Sequence, residues 1–190
     1  MSAARLELIL GGQRSGKSRC AEARAAEWLA APGHSAVLLA TALAGDDEMR
    51  ARIQRHQRDR ARRVPELVTE EAPRELARAV DFHTAPGRLV VVDCLTLWLT
   101  HLLMPLNGPA LDGPACGTAR RDLCAALQRA RGPVLLVSNE IGMGLSPMSA
   151  EARHFVDELG RLHQNVAAHC ERVTLMVAGI EVAVKRGVVA

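Results

Sequence analysis

Aromatic residues are nearly missing: two Trp, two Phe and no Tyr in 190 residues. The core must therefore be assembled from Leu, Val, Ile, Ala and Met. A surface that stacks nucleic-acid bases on aromatic rings has almost nothing to work with. No apolar run approaches the ~20 residues that a membrane helix needs, and no secretory signal is visible, so the expectation is a cytoplasmic protein with no membrane span. The five cysteines are an odd, scattered set with no CxxC or zinc spacing, which predicts reduced, mostly buried thiols. Lysine is also scarce. Of 24 basic residues only Lys17 and Lys185 are lysines; a chain so biased keeps lysine mainly where arginine would fail, which singles out Lys17. The net charge of +3 is too small to imply a polyanionic partner, although residues 50–63 hold seven arginines against the single acid Asp59.

What is present is an alternation of short apolar runs with helical stretches. LELIL (6–10), AVLLA (36–40), LVVVD (89–93), PVLLVS (133–138) and VTLMVA (173–178) predict strands, the last of these closing the series, with a weaker strand around Glu66–Val68. Helices are expected over 17–31, from near Asp46, from Pro73 to Phe82 with Pro73 in the first turn, up to about Leu103, over 118–130, and over 150–169 with Ser149 as N-cap. The Gly- and Pro-rich stretch 105–117 predicts a loop. This order gives an α/β protein, a single domain over 1–190. Its mostly parallel sheet carries helices on both faces and binds ligands at the carboxyl ends of the strands.

GGQRSGKS, residues 11–18, matches G-x-x-x-x-G-K-[ST] through Gly11, Gly16, Lys17 and Ser18, between a strand and a helix. Glycines let backbone N–H groups face phosphates, and the helix N-terminus adds a positive field. Lys17 reaches the β- and γ-phosphates as a point charge, and Ser18 offers a hydroxyl to Mg²⁺. Asp93 ends the strand LVVVD where a second acidic group meets Mg²⁺ or its water shell in P-loop proteins. Glu140, in the glycine-containing loop SNEIGMG, is a further acid at the same edge. In RIQRHQRDR (52–60), Met49, Ile53 and His56 share one helical face, so His56 is expected on the inward, apolar side. Arg50, Arg52, Arg55 and Arg58 spread mostly over the others. A neutral imidazole there is a competent nucleophile towards phosphorus. His34, His83, His101, His154, His163 and His169 have no comparable context.

GGQRSGKS, AT with DDEMRARIQRHQRDR, VVVDCLTLWLTHLL, LLVSNEIGMGLSP with RHFVDELGRLHQNVA, and VAGI occur in this order along nearly the whole chain. Together they resemble the bifunctional adenosylcobinamide kinase / adenosylcobinamide-phosphate guanylyltransferase family. The resemblance implies a RecA-like P-loop NTPase fold, usually trimeric, with Mg²⁺ and with GTP and ATP as substrates. It implies phosphorylation of adenosylcobinamide, then transfer of GMP from GTP through a histidine to adenosylcobinamide phosphate. It puts the histidine at His56 and nucleotide contacts at Gly11, Gly12, Gln13, Arg14, Ser15, Gly16, Lys17 and Ser18. Further contacts fall at Ala40, Thr41, Ala42, Gln57, Arg58, Asp59, Arg60 and Asp93, and at one of Glu70 and Glu71, preferably Glu71 by its spacing to Pro73. The chain departs from the family after the histidine, where RARRVPELVTEEAP is about three residues longer than usual and lacks its Trp. Two rival readings are a P-loop kinase with no use for His56, and an arginine-rich nucleic-acid module. The missing aromatics count against the second.

Overall fold

The computed structural model describes residues 4–186; residues 1–3 and 187–190 of the expected 1–190 domain lie outside them. Thirteen elements follow one another: β1 Leu6–Gly11, α1 Lys17–Leu29, β2 Ser35–Ala40, α2 Asp47–Arg63, β3 Val68–Glu71, α3 Leu76–His83, β4 Arg88–Asp93, α4 Leu95–Leu103, α5 Gly113–Arg129, β5 Val134–Val137, α6 Ala150–His169, β6 Arg172–Val177 and β7 Ile180–Lys185. All seven strands lie in one sheet, ordered β3-β2-β4-β5-β1-β6-β7. Every pairing is parallel except β6 with β7.

Continuous apolar strands sort their side chains by parity. Val90 and Val92 of β4 and Leu136 of β5 join Leu76, Trp98, Leu123 and Leu162 from α3, α4, α5 and α6 on one face. Val91 and Leu135 join Cys20, Ala21 and Ala25 of α1 on the other. Leucine and valine supply most of this core, with alanine and cysteine filling much of the rest, as the shortage of aromatics requires. All five cysteines are free and buried. Burial pushes the Cys20, Cys94 and Cys170 thiols up to about 12, so they stay protonated.

Four local expectations need correcting. The third strand begins at Val68, two residues later than the expected stretch begins. α3 starts at Leu76 after Glu75, so Pro73 lies in a bend ahead of it instead of in its first turn. α5 begins at Gly113, inside the expected loop. Asp112 caps it by accepting from the Ala115 N–H at 2.8 Å, and Pro114 fits a first turn that needs no donor there. VTLMVA is not the last strand, because Ala178 (φ 52°) and Gly179 (φ 82°) make a two-residue turn into the antiparallel β7. The cap of α6 is where the sequence puts it, with Ser149 Oγ accepting from the Ala152 N–H at 3.1 Å.

Candidate active site

β1 delivers the chain into the loop 11–18 and α1 takes it away. Gly11 (φ 153°) has no room for a side chain: a Cβ there would meet Met176 O and Ser15 Oγ, each at 2.6 Å. Gly16 (φ 102°) is the N-cap of α1, a conformation that disfavours a side chain. The loop curls tightly enough for Lys17, only 8% exposed, to donate from Nζ to Gly12 O at 2.6 Å. Burial lowers the Lys17 pKa, Cys94 and Asp93 counter that, and Arg52 adds to it. Ser15 Oγ is buried with no hydrogen-bond partner, an orphan polar atom in a cradle shaped for an anion.

α2 arches across from β2. Asp46 caps it, accepting from the Met49 N–H at 2.7 Å. Its one buried residue is Arg60, which donates to Thr69 Oγ1 at 3.0 Å. Arg63 pairs with the nearly buried Glu22 of α1 at 3.0 Å. The C-terminal end is thus held by polar contacts while the middle of the helix overhangs the loop. Between them lies a cleft of about 610 Å³, lined on one side by Gln13–Arg19 and on the other by Met49, Arg52, Ile53 and His56. Met49, Ile53 and His56 do share a face, but that face looks onto the cleft and not into a packed core, and His56 is exposed. Arg52 and Arg55, expected on the outer faces, line the cleft as well. The cleft walls remove enough water to lower the His56 pKa. Asp93 and Asp59 oppose that shift, and Arg52 and Arg60 reinforce it. At neutral pH the lowered value favours the uncharged ring, whose lone pair faces the cleft.

Most residues expected to contact nucleotide meet here. Gln13, Arg14, Ser15, Gly16, Lys17, Ser18, Ala40, Ala42, Gln57, Asp59, Arg60, Glu71 and Asp93 all line the cleft with His56. Gly11, Gly12, Thr41 and Arg58 do not. Gly11 is sealed by Met176 and Ser15, and Arg58 is exposed on another side of α2. Thr41 is fully buried. Its Oγ1 donates to Cys94 O at 2.7 Å and accepts from Cys94 N–H at 2.8 Å, so its hydroxyl ties down the end of β4. Strand parity separates the adjacent glutamates: Glu71 faces the cleft, and Glu70 lies 3.0 Å from His83 Nε2.

Ser18 and Asp93 both face this cleft. A hydroxyl and a carboxylate, completed by phosphate oxygens and water, form the hard-oxygen donor set that suits Mg²⁺. Among the described residues no group of three or more His, Cys, Asp and Glu is placed to hold a metal ion.

Two features have no signal in the sequence, and a third residue, Glu140, finds its role. Asn139 lines the cleft. Its N–H donates to Thr96 Oγ1 at 2.8 Å, and the Thr96 hydroxyl lies 3.0 Å from Ser138 Oγ. Ser138 in turn meets His163 Nε2 at 2.7 Å, so His163 has a structural partner that its sequence context did not reveal. Glu140 serves this buried chain, lying 3.7 Å from His163 Nδ1 and accepting from Gly142 N–H at 2.6 Å; it does not line the cleft.

The family model described as "Cobinamide kinase / cobinamide phosphate guanyltransferase" matches residues 7–184. The bifunctional adenosylcobalamin biosynthesis protein CobP of Pseudomonas aeruginosa is 46% identical over 179 residues, covering 94% of this chain and 96% of that protein. CobU of Salmonella typhimurium, with the same description, is 39% identical over 186 residues, covering 94% and 98% respectively. Among solved structures, the flagellar accessory protein FlaH of Methanocaldococcus jannaschii superposes with a TM-score of 0.54 at 11% identity, over 98% of this chain and 81% of that one, which is a likeness of fold alone. With a P-loop lysine, a strand-end aspartate and a cleft-facing histidine gathered in one place, and with this match over nearly its full length, the chain belongs to the cobinamide kinase / cobinamide phosphate guanyltransferase family.

Proposed function

We infer that the chain, acting as one nucleotide-binding domain, performs two consecutive transfers of cobalamin biosynthesis. It phosphorylates adenosylcobinamide with ATP or GTP. It then moves GMP from GTP to adenosylcobinamide phosphate, giving adenosylcobinamide-GDP and pyrophosphate. The single observation that carries this reading is that His56 and Lys17 line one cleft, so a triphosphate seated on the P-loop presents its α-phosphorus towards the histidine. Lys17 and the N–H groups of 11–18 hold the terminal phosphates. Ser18 and Asp93 would hold Mg²⁺, which supplies charge neutralisation to the phosphates when bound. In the second reaction neutral His56 attacks the α-phosphorus with a ring-nitrogen lone pair. The P–N bond forms as the bond to the β-phosphate breaks, and pyrophosphate carries off the electron pair. The phosphate of adenosylcobinamide phosphate then displaces the histidine.

The reading includes a homotrimeric, cytoplasmic enzyme. Support for assembly is the exposed apolar edge at β7. As to location, no helix among the described residues is long and apolar enough to cross a membrane. Incubation with GTP and Mg²⁺ followed by intact-mass measurement tests the chemistry. The expected result is one added GMP, acid-labile and base-stable, absent from His56→Ala and removed by adenosylcobinamide phosphate. An unmodified mass under conditions where the kinase turns over would sink the transferase half.

A further inference from the structure

The cleft holds more positive charge than the phosphate-binding loop accounts for. Arg60 and Arg63 are engaged with Thr69 and Glu22. Arg52 is different: it lines the cleft, is exposed, and among the described residues makes no hydrogen bond or ion pair. An unpaired guanidinium facing a site for a polyanion is a ligand without its partner. Its place on α2 narrows the role. Arg52 lies four residues before His56, one helical turn and about 6 Å along the axis, so the two side chains rise from the same face. Arg55 also lines the cleft, but as the immediate neighbour of His56 it is turned by about 100° around the axis.

We propose that Arg52 is a catalytic residue of the guanylyl transfer, its guanidinium holding the α- and β-phosphates while His56 attacks the α-phosphorus. The proposal rests on the histidine role inferred above and assigns the charge that this role requires. In the transition state negative charge builds on the non-bridging α-oxygens and on the oxygen leaving with the β-phosphate. Lys17 sits at the far, P-loop end of the triphosphate. A fork-shaped cation between Lys17 and His56 meets two phosphates at once, which the compact ammonium of Lys17 cannot do. The Arg52 charge reaches both ends of this line, since it is among the charges that hold the pKa values of Lys17 and of His56 down. Electrons balance without another reactant: one P–N bond forms, one P–O bond breaks, and the imidazole keeps the proton on its other nitrogen.

The test compares Arg52→Gln, Arg52→Lys and the control Arg62→Gln, whose arginine is exposed on α2 away from the cleft. GMP labelling of His56 from α-labelled GTP and phosphorylation of adenosylcobinamide are timed separately on each. Arg52→Gln is expected to slow the labelling step at saturating GTP by about 10²–10³-fold, with the kinase turnover changed by less than about tenfold. Arg52→Lys is expected to recover part of the labelling rate, and Arg62→Gln to match the wild type. Because Arg52 is exposed and unpartnered, the urea midpoints should all coincide. Labelling in Arg52→Gln at the wild-type rate overturns the proposal and leaves the histidine chemistry standing. So does an equal loss in both activities, which makes Arg52 a general phosphate contact, or a matching drop in midpoint, which makes it structural. A wild type that takes no label removes the histidine role and this inference with it.

Discussion

At the scale of single residues, the site runs on how water is taken away from two cations-in-waiting. Lys17 is nearly buried against its own loop, and its ammonium donates to Gly12 O. That contact already orders the side chain, so a phosphate bound there would cost little further side-chain entropy. His56 is exposed to the cleft yet partly dehydrated by its walls, which favours the neutral ring. Desolvation lowers its pKa from 6.5, so the uncharged ring persists at pH values where an ordinary histidine is half protonated. The acid limb of kcat/KM for GMP labelling is therefore expected below pH 6.5, activity being lost only as the pH falls through the lowered value. A pH series of labelling rates at low GTP checks this. An acid limb above pH 6.5 would mean that nearby carboxylates such as Asp93 outweigh the desolvation.

At the scale of elements, the end of β2 and the end of β4 are tied together by one side chain. The Thr41 hydroxyl satisfies both the N–H and the C=O of Cys94, and Thr41 N–H donates to Asp93 O at 3.0 Å. Asp93 reaches the cleft from a strand end that Thr41 locks. Thr41→Val keeps the shape but leaves a buried donor and acceptor unpaired. It is expected to cost about 1–3 kcal/mol, seen as a lower urea midpoint at unchanged slope, and to weaken nucleotide turnover without abolishing it. An unaltered midpoint would show that water or backbone shifts replace the hydroxyl. This is also where sequence and structure part. The order of strands and helices, the Ser149 cap and the P-loop were legible because each is set by local chemistry: parity, capping and the glycine turn. Thr41 lay in a segment that the family resemblance assigns to nucleotide, and nothing local says that its hydroxyl is spent on Cys94, 53 positions away. His163 is the same case, since only the fold brings Ser138 to it. The missed β7 is different. Its signal was present as a small-residue turn, Ala178–Gly179, followed by IEVAVK, and it was masked by the parallel pattern of everything before it.

For the molecule as a whole, the strand order puts chemistry at one edge and an unfinished surface at another. Helices of successive crossovers pack on both faces, and β1, β4 and β5 end where the chain diverges to either side, so a cleft forms there beneath α2. The opposite consequence appears at β7. It is paired on one side only, to β6, and all six of its residues are exposed, with Ile180 67%, Val182 45% and Val184 63% accessible. Natural proteins guard a sheet edge with charge, proline or a covering element. Here the edge carries three branched apolar side chains, and Glu181 is turned to Arg24 of α1. A second copy of the chain covers such a strand at little cost, which fits the trimer in the proposed reading. Light scattering is expected to give a three-chain mass for the wild type. The double substitution Ile180→Lys with Val182→Lys is expected to give a one-chain mass with the urea midpoint of the monomer preserved. If the wild type itself runs as a monomer at assay concentration, β7 is simply an exposed edge and the cleft works within one chain. If the double variant remains a trimer, the subunits meet elsewhere.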